Sequence, residues 1–274
     1  MALRTSICAL LSAAVLLAYQ PHSPVAETNF MTIGLEAAYG EYRGFFVSGT
    51  TYVPYTYLGQ SDSSFMHVHI SGIPSVRIAP FRHLEAKLEL PIKYTFERYE
   101  HTAVSYSSNI IFIELESVRL SMKYTLIDWY LSAALSLACD IPVHSTAMFD
   151  GNRTVNDALN VTGGVLGGVI PRVIPINLYV GLYGRTKPGL SDKYLATAVL
   201  EWVTSPIAAI SLGVRNDNNW TFNSSVGSFV ELFVDVGINF SDRIHCHTGF
   251  SKKLEGIVTA DDRVFSLRFY YDIF

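Results

Sequence analysis

Charge is what this chain has least of. Asp, Glu, Lys and Arg make up 16% of its 274 residues, while 49% are hydrophobic. A water-soluble domain carries about a quarter charged residues, mostly outside, so an ordinary solvated surface is excluded. Long apolar runs are missing as well. Beyond residue 17 no run reaches the ~18 residues of a helical span, and the longest stretch, 161–176, holds four glycines and two prolines. Cysteine is scarce. Of three, Cys8 lies in the N-terminal apolar run, while Cys139 and Cys246 fall on apolar strand faces far apart in sequence. That placement predicts two free thiols and no disulfide. The chain has no Gly-x-Ser-x-Gly elbow, no Gly-rich phosphate loop and no Cys-x-x-Cys pair, so no cofactor or metal is expected. A net charge of −4 argues against nucleic acid as a partner.

What is present begins with the marks of export. Arg4 precedes an apolar run over 7–17, about the length of a signal-peptide core and too short to span a bilayer. Ala18 and Ala26 are the candidate cleavage points. Leu16 and Pro24 stand where each cut would prefer a small residue, so the position is open. The expected organisation is a signal peptide over 1–26, its exact end unsettled, and one domain over 27–274.

That domain alternates. Over 83–97, Leu84, Ala86, Leu88, Leu90, Ile92, Tyr94 and Phe96 share one face. His83, Glu85, Lys87, Glu89, Lys93, Thr95 and Glu97 share the other, with Pro91 the misfit. This period of two, held for about fifteen residues, exceeds the usual strand and suits a tilted membrane crossing of about 9–11 residues. The same rhythm returns at Val118 to Leu126, Trp129 to Leu137, Ile176 to Leu182, Ile210 to Val214, Val230 to Phe240 and Phe265 to Ile273. Hydrophobic overall, yet without spanning helices, is what a lipid-facing sheet gives, because only one side of each strand is apolar.

Connections alternate too. Short turns near 80–81, 127–128, 171–174, 204–206 and 241–243 separate longer polar segments at 41–64, 98–108, 141–156, 186–191, 217–225 and 253–262. Six long loops and five short turns predict an all-β, antiparallel transmembrane β-barrel of about 12 strands, within a range of 10–14. The strands fall near 31–40, 65–79, 83–97, 109–126, 129–140, 158–170, 175–185, 193–203, 207–216, 226–240, 243–252 and 263–274. Residues 45–57 form either an extra pair or a strand extension. The turns predict Leu126 opposite Trp129, Asn239 opposite His245, Gly237 opposite His247, and Ile78 opposite Leu84 with Arg77 beside Glu85. Tyr39, Tyr94, Tyr124, Trp129, Tyr194, Trp202, Phe240 and Tyr271 near strand ends suit interfacial girdles.

The last strand stops on Phe274, though Arg268, Tyr270 and Asp272 are the residues in phase with it. Signal, alternation, long and short connections and terminal Phe together resemble bacterial outer-membrane β-barrels. Within these, Val118-Arg-Leu-Ser-Met-Lys-Tyr124 and the run from Phe229 to Asp242 are loosely similar in rhythm to the hydrophobic-compound transporter superfamily, which includes the long-chain fatty-acid transporters. The resemblance implies the bacterial outer membrane as location, its lipid and the barrel-assembly machinery as partners, and passive passage of a small, apolar solute. No plug is visible ahead of the first strand, and no family site residue carries over.

The polar face supplies the lumen-lining candidates: Glu85, Lys87, Glu89, Lys93, Arg119, Lys123, Glu231, Asp235, His245, His247 and Arg268. Mixed charges there tune passage or cross-link the interior, and they predict no ion selectivity. His67 with His69, and His245 with His247, have a spacing that chelates metal only with a third ligand from a neighbouring strand; otherwise they are wet lumen residues. His101, Ser105, Asp128 and His144 are the groups a membrane-embedded lipid-modifying enzyme would need. The expected function is a channel for small solutes. The alternatives are a non-conducting structural or host-contact barrel and, behind it, that enzyme.

Overall fold

Backbone groups in hydrocarbon must find partners within the protein, and a sheet does so only by closing on itself. The computed structural model describes residues 23, 30–42, 44–48, 51–54, 63–101, 106–115, 117–143, 159–171, 174–186, 193–205, 207–219, 229–256 and 259–273. The strands are β1 (Met31–Tyr42), β2 (Gly44–Ser48), β3 (Thr51–Pro54), β4 (Ser63–Phe81), β5 (Leu84–Glu89), β6 (Ile92–His101), β7 (Tyr106–Leu115), β8 (Ser117–Asp128) and β9 (Leu131–Pro142). They continue as β10 (Asn160–Val169), β11 (Ile176–Thr186), β12 (Lys193–Ser205), β13 (Ala208–Asn219), β14 (Phe229–Asn239), β15 (Ile244–Gly256), β16 (Thr259–Ala260) and β17 (Arg263–Asp272).

Fourteen of these segments form one antiparallel sheet, and β1 pairs with both β4 and β17, which closes it. Two segment pairs are single strands interrupted. β5 and β6 both lie along β4 and are parted at Leu90 and Pro91; β7 and β8 are parted at residue 116. Fourteen less two gives twelve strands around the barrel among the described residues. Pro91 breaks the expected 83–97 strand because it has no N–H to give the ladder. Leu90 still donates its N–H to the Pro74 carbonyl at 3.1 Å. β6 and β7 run on past the ends of β1 and β9 with the start of β4. The expected extra pair at 45–57 is the β2–β3 hairpin, which joins β16 in a separate three-stranded sheet. The signal reading over 1–26 lies outside the described residues except for Ser23, and Phe274 lies outside them too.

The faces divide as the alternation requires. Leu35, Ile78, Leu88, Leu120, Leu135, Leu178, Leu200, Leu212, Leu232, Phe265 and Leu267 are exposed, whereas the residues next to them in sequence point inward. Trp129, Trp202, Tyr124, Phe240 and Tyr271 are exposed near strand ends. Cys139 and Cys246 are free, on outward positions of β9 and β15.

Register follows the turns in one case and departs in two. Asn239 faces His245 and Gly237 faces His247, with Phe240 N–H on the Ile244 carbonyl at 2.9 Å. Ile78, however, faces Ala86, and Arg77 faces Lys87, not Glu85. A register shift between Ile78 and Phe81 moves the turn onto Arg82 and His83. Likewise an irregularity between Thr125 and Ile127 sets Asp128 opposite Ser132, so Trp129 and Tyr130 form the turn. Such bulges leave the faces largely intact while changing which residues meet.

The glycine-rich β10 tests the facing at neighbouring positions. A Cβ on inward Gly164 would meet the Leu182 carbonyl oxygen at 2.5 Å and the Tyr183 ring, whereas one on outward Gly163 meets only Leu137 Cδ1 at 3.8 Å. Gly164→Val is therefore expected to destabilise by about 1–3 kcal/mol. Gly163→Val should fall within about half a kcal/mol of the parent, as measured by urea unfolding in lipid vesicles. Reversed costs would exchange the two faces of this strand.

Candidate functional site

Because period two sends alternate residues inward, the interior is built from side chains that meet across strands. All eleven polar-face candidates lie on that inward face. Nine of them fall into two groups. On β5 and β8, Lys123 pairs with Glu85 at 3.1 Å, Lys87 with Glu89 at 2.7 Å, and Arg119 lies 3.9 Å from Glu89 and 2.5 Å from Asp140 of β9. On β13 to β17, Arg215 donates to Glu231 at 3.0 Å and Arg268 meets Asp235 at 2.8 Å. His247 Nδ1 lies 3.6 Å from the same Asp235 carboxylate. Lys93 is half-buried on β6, where its backbone pairs with Ser71 of β4 and Glu114 of β7. Lys87, Arg119, Lys123, Arg215 and Arg268 each have an acid at hand, and the wall carries paired charge of both signs rather than a field of one sign.

His245 belongs to a third constellation, where the barrel closes. Its Nε2 is 2.8 Å from Asp272 Oδ2 and its Nδ1 2.8 Å from Asn239 Oδ1. Thr32 donates to Asp272 Oδ1 at 2.5 Å, Arg77 donates to the Thr32 hydroxyl, and Arg77 lies 3.6 Å from Asp272. Five strands are tied by these side chains, and Thr32, Arg77, His245 and Asp272 are all 4% exposed or less. Arg77, Thr32 and Asp272 were not among the sequence candidates. Their link crosses the first and last strands, which no hairpin turn reveals; closing the predicted ring between the first and last strands would have been the signal. That a carboxylate stands two places before Phe274 is explained here, since Asp272 points inward to serve this network.

Between the charged groups the interior is apolar. Across four strands Tyr179 faces Val199, Val199 faces Gly213, and Gly213 faces Phe233. Phe233 lies over Gly213, where any Cβ would collide with the ring, and closes the row against Val199 and Tyr179. Leu166, Tyr183, Leu195 and Val203 extend this sector on β10 to β12. Polar rows flank it. Arg215 and Glu231 stand on one side; Asn177, Glu201, Ser211 and Asp235 stand on the other, with Asn177 and the Tyr179 hydroxyl both donating to Glu201 Oε2 at 2.9 Å. In the sequence Tyr179 and Tyr183 fall on the polar face, but inward Val199 and Phe233 look like lapses in the alternation, so the sector is not marked there.

Depth matters as well. Near the short turns the inward polar residues Thr32, Arg77, Thr125, Ser132, Asn177, Glu201 and Asp272 are all buried. Toward the long connections, Arg119, Arg185 and Arg215 keep side chains 35–43% exposed. Polar side chains are thus packed at the short-turn end, while toward the long connections partly exposed arginines stand beside buried Asp217 and Glu231. Ser23, far from any strand, is part of the packing: it is buried, its carbonyl accepts a hydrogen bond from Lys123 Nζ at 3.3 Å, and it hydrogen-bonds Tyr179. No sequence signal places a residue ahead of β1 inside the barrel.

The other chemistries fare differently. Asp128 sits at the rim 3.6 Å from Arg82. Ser105 and His144 lie outside the described residues, as do the side chains of His101 and His67. Among the described residues no group of three His, Cys, Asp or Glu side chains is arranged to hold a metal.

No family model and no curated relative matches the chain. Solved structures do. An outer membrane channel from Pseudomonas putida F1 superposes with a TM-score of 0.69 at 9% identity, over 92% of this chain and 99% of that one. The KdgM porin, in complex with disordered oligogalacturonate, gives 0.51 at 7% identity, over 89% and 99%. A FadL homologue from Pseudomonas aeruginosa gives 0.43 at 9%, over 93% of each chain. At such identities the likeness concerns architecture, and the chain has the fold of the bacterial outer-membrane β-barrels.

Proposed function

We propose that the protein is a channel of the bacterial outer membrane that passes a small solute with an apolar, aromatic or aliphatic, body. The observation that carries this reading is the inward row Tyr179, Val199, Gly213 and Phe233, flanked by paired charge. The row is packed on itself at rest, with Tyr179 and Val199 each 2% exposed, so an apolar body reaches it only by parting these side chains between their polar neighbours. The exposed apolar stripe takes outer-membrane lipid as its solvent, and the barrel-assembly machinery is the partner that its insertion calls for. The mixed-charge groups of Glu85, Lys87, Glu89, Lys93, Arg119, Lys123, Glu231, Asp235, His247 and Arg268 orient the polar end of a solute without selecting ions by sign.

Planar-bilayer recording of refolded protein tests it. Discrete openings are expected, and a small aromatic alcohol such as benzyl alcohol should interrupt them. Val199→Asn, which puts an amide into the apolar row, should shorten those interruptions about tenfold, equivalent to ~1.4 kcal/mol of lost affinity. Silence in the bilayer, or interruptions that Val199→Asn leaves unchanged, would remove the proposal. The first outcome would favour the non-conducting, partner-binding barrel, for which the projecting β6–β7 pair and the β2–β3–β16 sheet provide surface.

A further inference from the structure

Ser23 raises a question about processing that the sequence leaves open. The expected export signal has two candidate cleavage points, after Ala18 and after Ala26. They differ in whether Ser23 belongs to the finished protein. A discarded residue has no reason to fit the folded barrel. Ser23 is 3% exposed, and it bridges two inward residues from separate parts of the wall, Lys123 on β8 and Tyr179 on β11.

Both partners are themselves committed. Lys123 is paired with Glu85 at 3.1 Å, and the Tyr179 hydroxyl donates to Glu201 at 2.9 Å. Both stand toward the short-turn end, where the interior is packed. Ser23 and β1 are eight residues apart, and a chain that long reaches at most about 28 Å, ample to run from this end of the barrel to the start of β1.

We infer that the export cut falls ahead of Ser23, after Ala18, and that the mature chain keeps Ser23 inside the barrel, held by Lys123 and Tyr179. The reading is independent of which solute passes.

Two measurements on protein purified from outer membranes test it. Intact mass with N-terminal sequencing should give a mature chain beginning at Tyr19. In a background with Cys139→Ala and Cys246→Ala, Ser23→Cys should react with a membrane-impermeant maleimide at least about tenfold more slowly in the folded barrel than after unfolding. Lys123→Ala should narrow that difference by loosening the contact. Heat-modifiable migration would show that each variant is folded. A chain beginning at Glu27, or at any position after Ser23, overturns the inference. So does a retained Ser23→Cys that labels as fast folded as unfolded.

Discussion

Leu212→Arg is expected to destabilise the barrel by about 2–4 kcal/mol, while Ser211→Arg, one residue away, costs less than half as much. Leu212 is 47% exposed on the outer face, with Leu200 and Val234 beside it on the neighbouring strands. A guanidinium there must enter hydrocarbon or drag water and headgroups toward it, and the penalty is greatest near mid-membrane. Ser211 points inward, and its cross-strand neighbours are Glu201 and Asp235. An arginine between two carboxylates gains partners that offset part of its desolvation and crowding. Glu231→Arg would be a poor inward control, because Arg215 and Lys253 face that position. Urea unfolding in phospholipid vesicles gives both costs. Equal penalties would mean that the apolar stripe does not face lipid.

Asp272→Ala should cost about 3–5 kcal/mol, because it leaves buried donors behind. Arg77 and His245 sit on either side of that carboxylate, and Thr32 donates to it. None of these can turn to water without opening the barrel wall. Arg77→Ala should be damaging in the parent and much milder once Asp272 is gone. A coupling of at least ~1 kcal/mol in the double-mutant cycle is therefore expected. Additive losses would show that the four side chains are neighbours without acting together.

Strand existence and facing were legible in the sequence because membrane and lumen impose opposite chemistry on alternate residues. Leu84 to Phe96 and Val230 to Phe240 state that rule plainly. Turn register was harder. The short connection after Phe240 has its turn residues where the alternation stops, so Asn239 and His245 were paired correctly. Near Phe81 and Thr125, register shifts displace the turn while leaving most of the alternation intact, so faces survived and partners did not. The interior was least legible. Glu85, Lys123, Asp235 and Arg268 read as polar, but which acid meets which base depends on cross-strand registers that accumulate around the ring. Val199 and Phe233 broke the inward-polar rule, and only their alignment over Gly213 gives them meaning. Ser23 could not be placed at all, since no periodicity extends to it.

The closing network has a consequence for kinetics. Every neighbouring pair of barrel strands is also consecutive along the chain except β1 with β17, whose Thr32 and Asp272 are 240 residues apart. Hairpins such as β14–β15 can zip early, but this last pairing must wait until the whole ring has assembled. Interactions absent from the rate-limiting state do not hasten folding; they slow its reversal. The buried Arg77, Thr32, His245 and Asp272 cluster thus behaves as a clasp fastened at the end, setting how long an inserted barrel persists more than how quickly one forms.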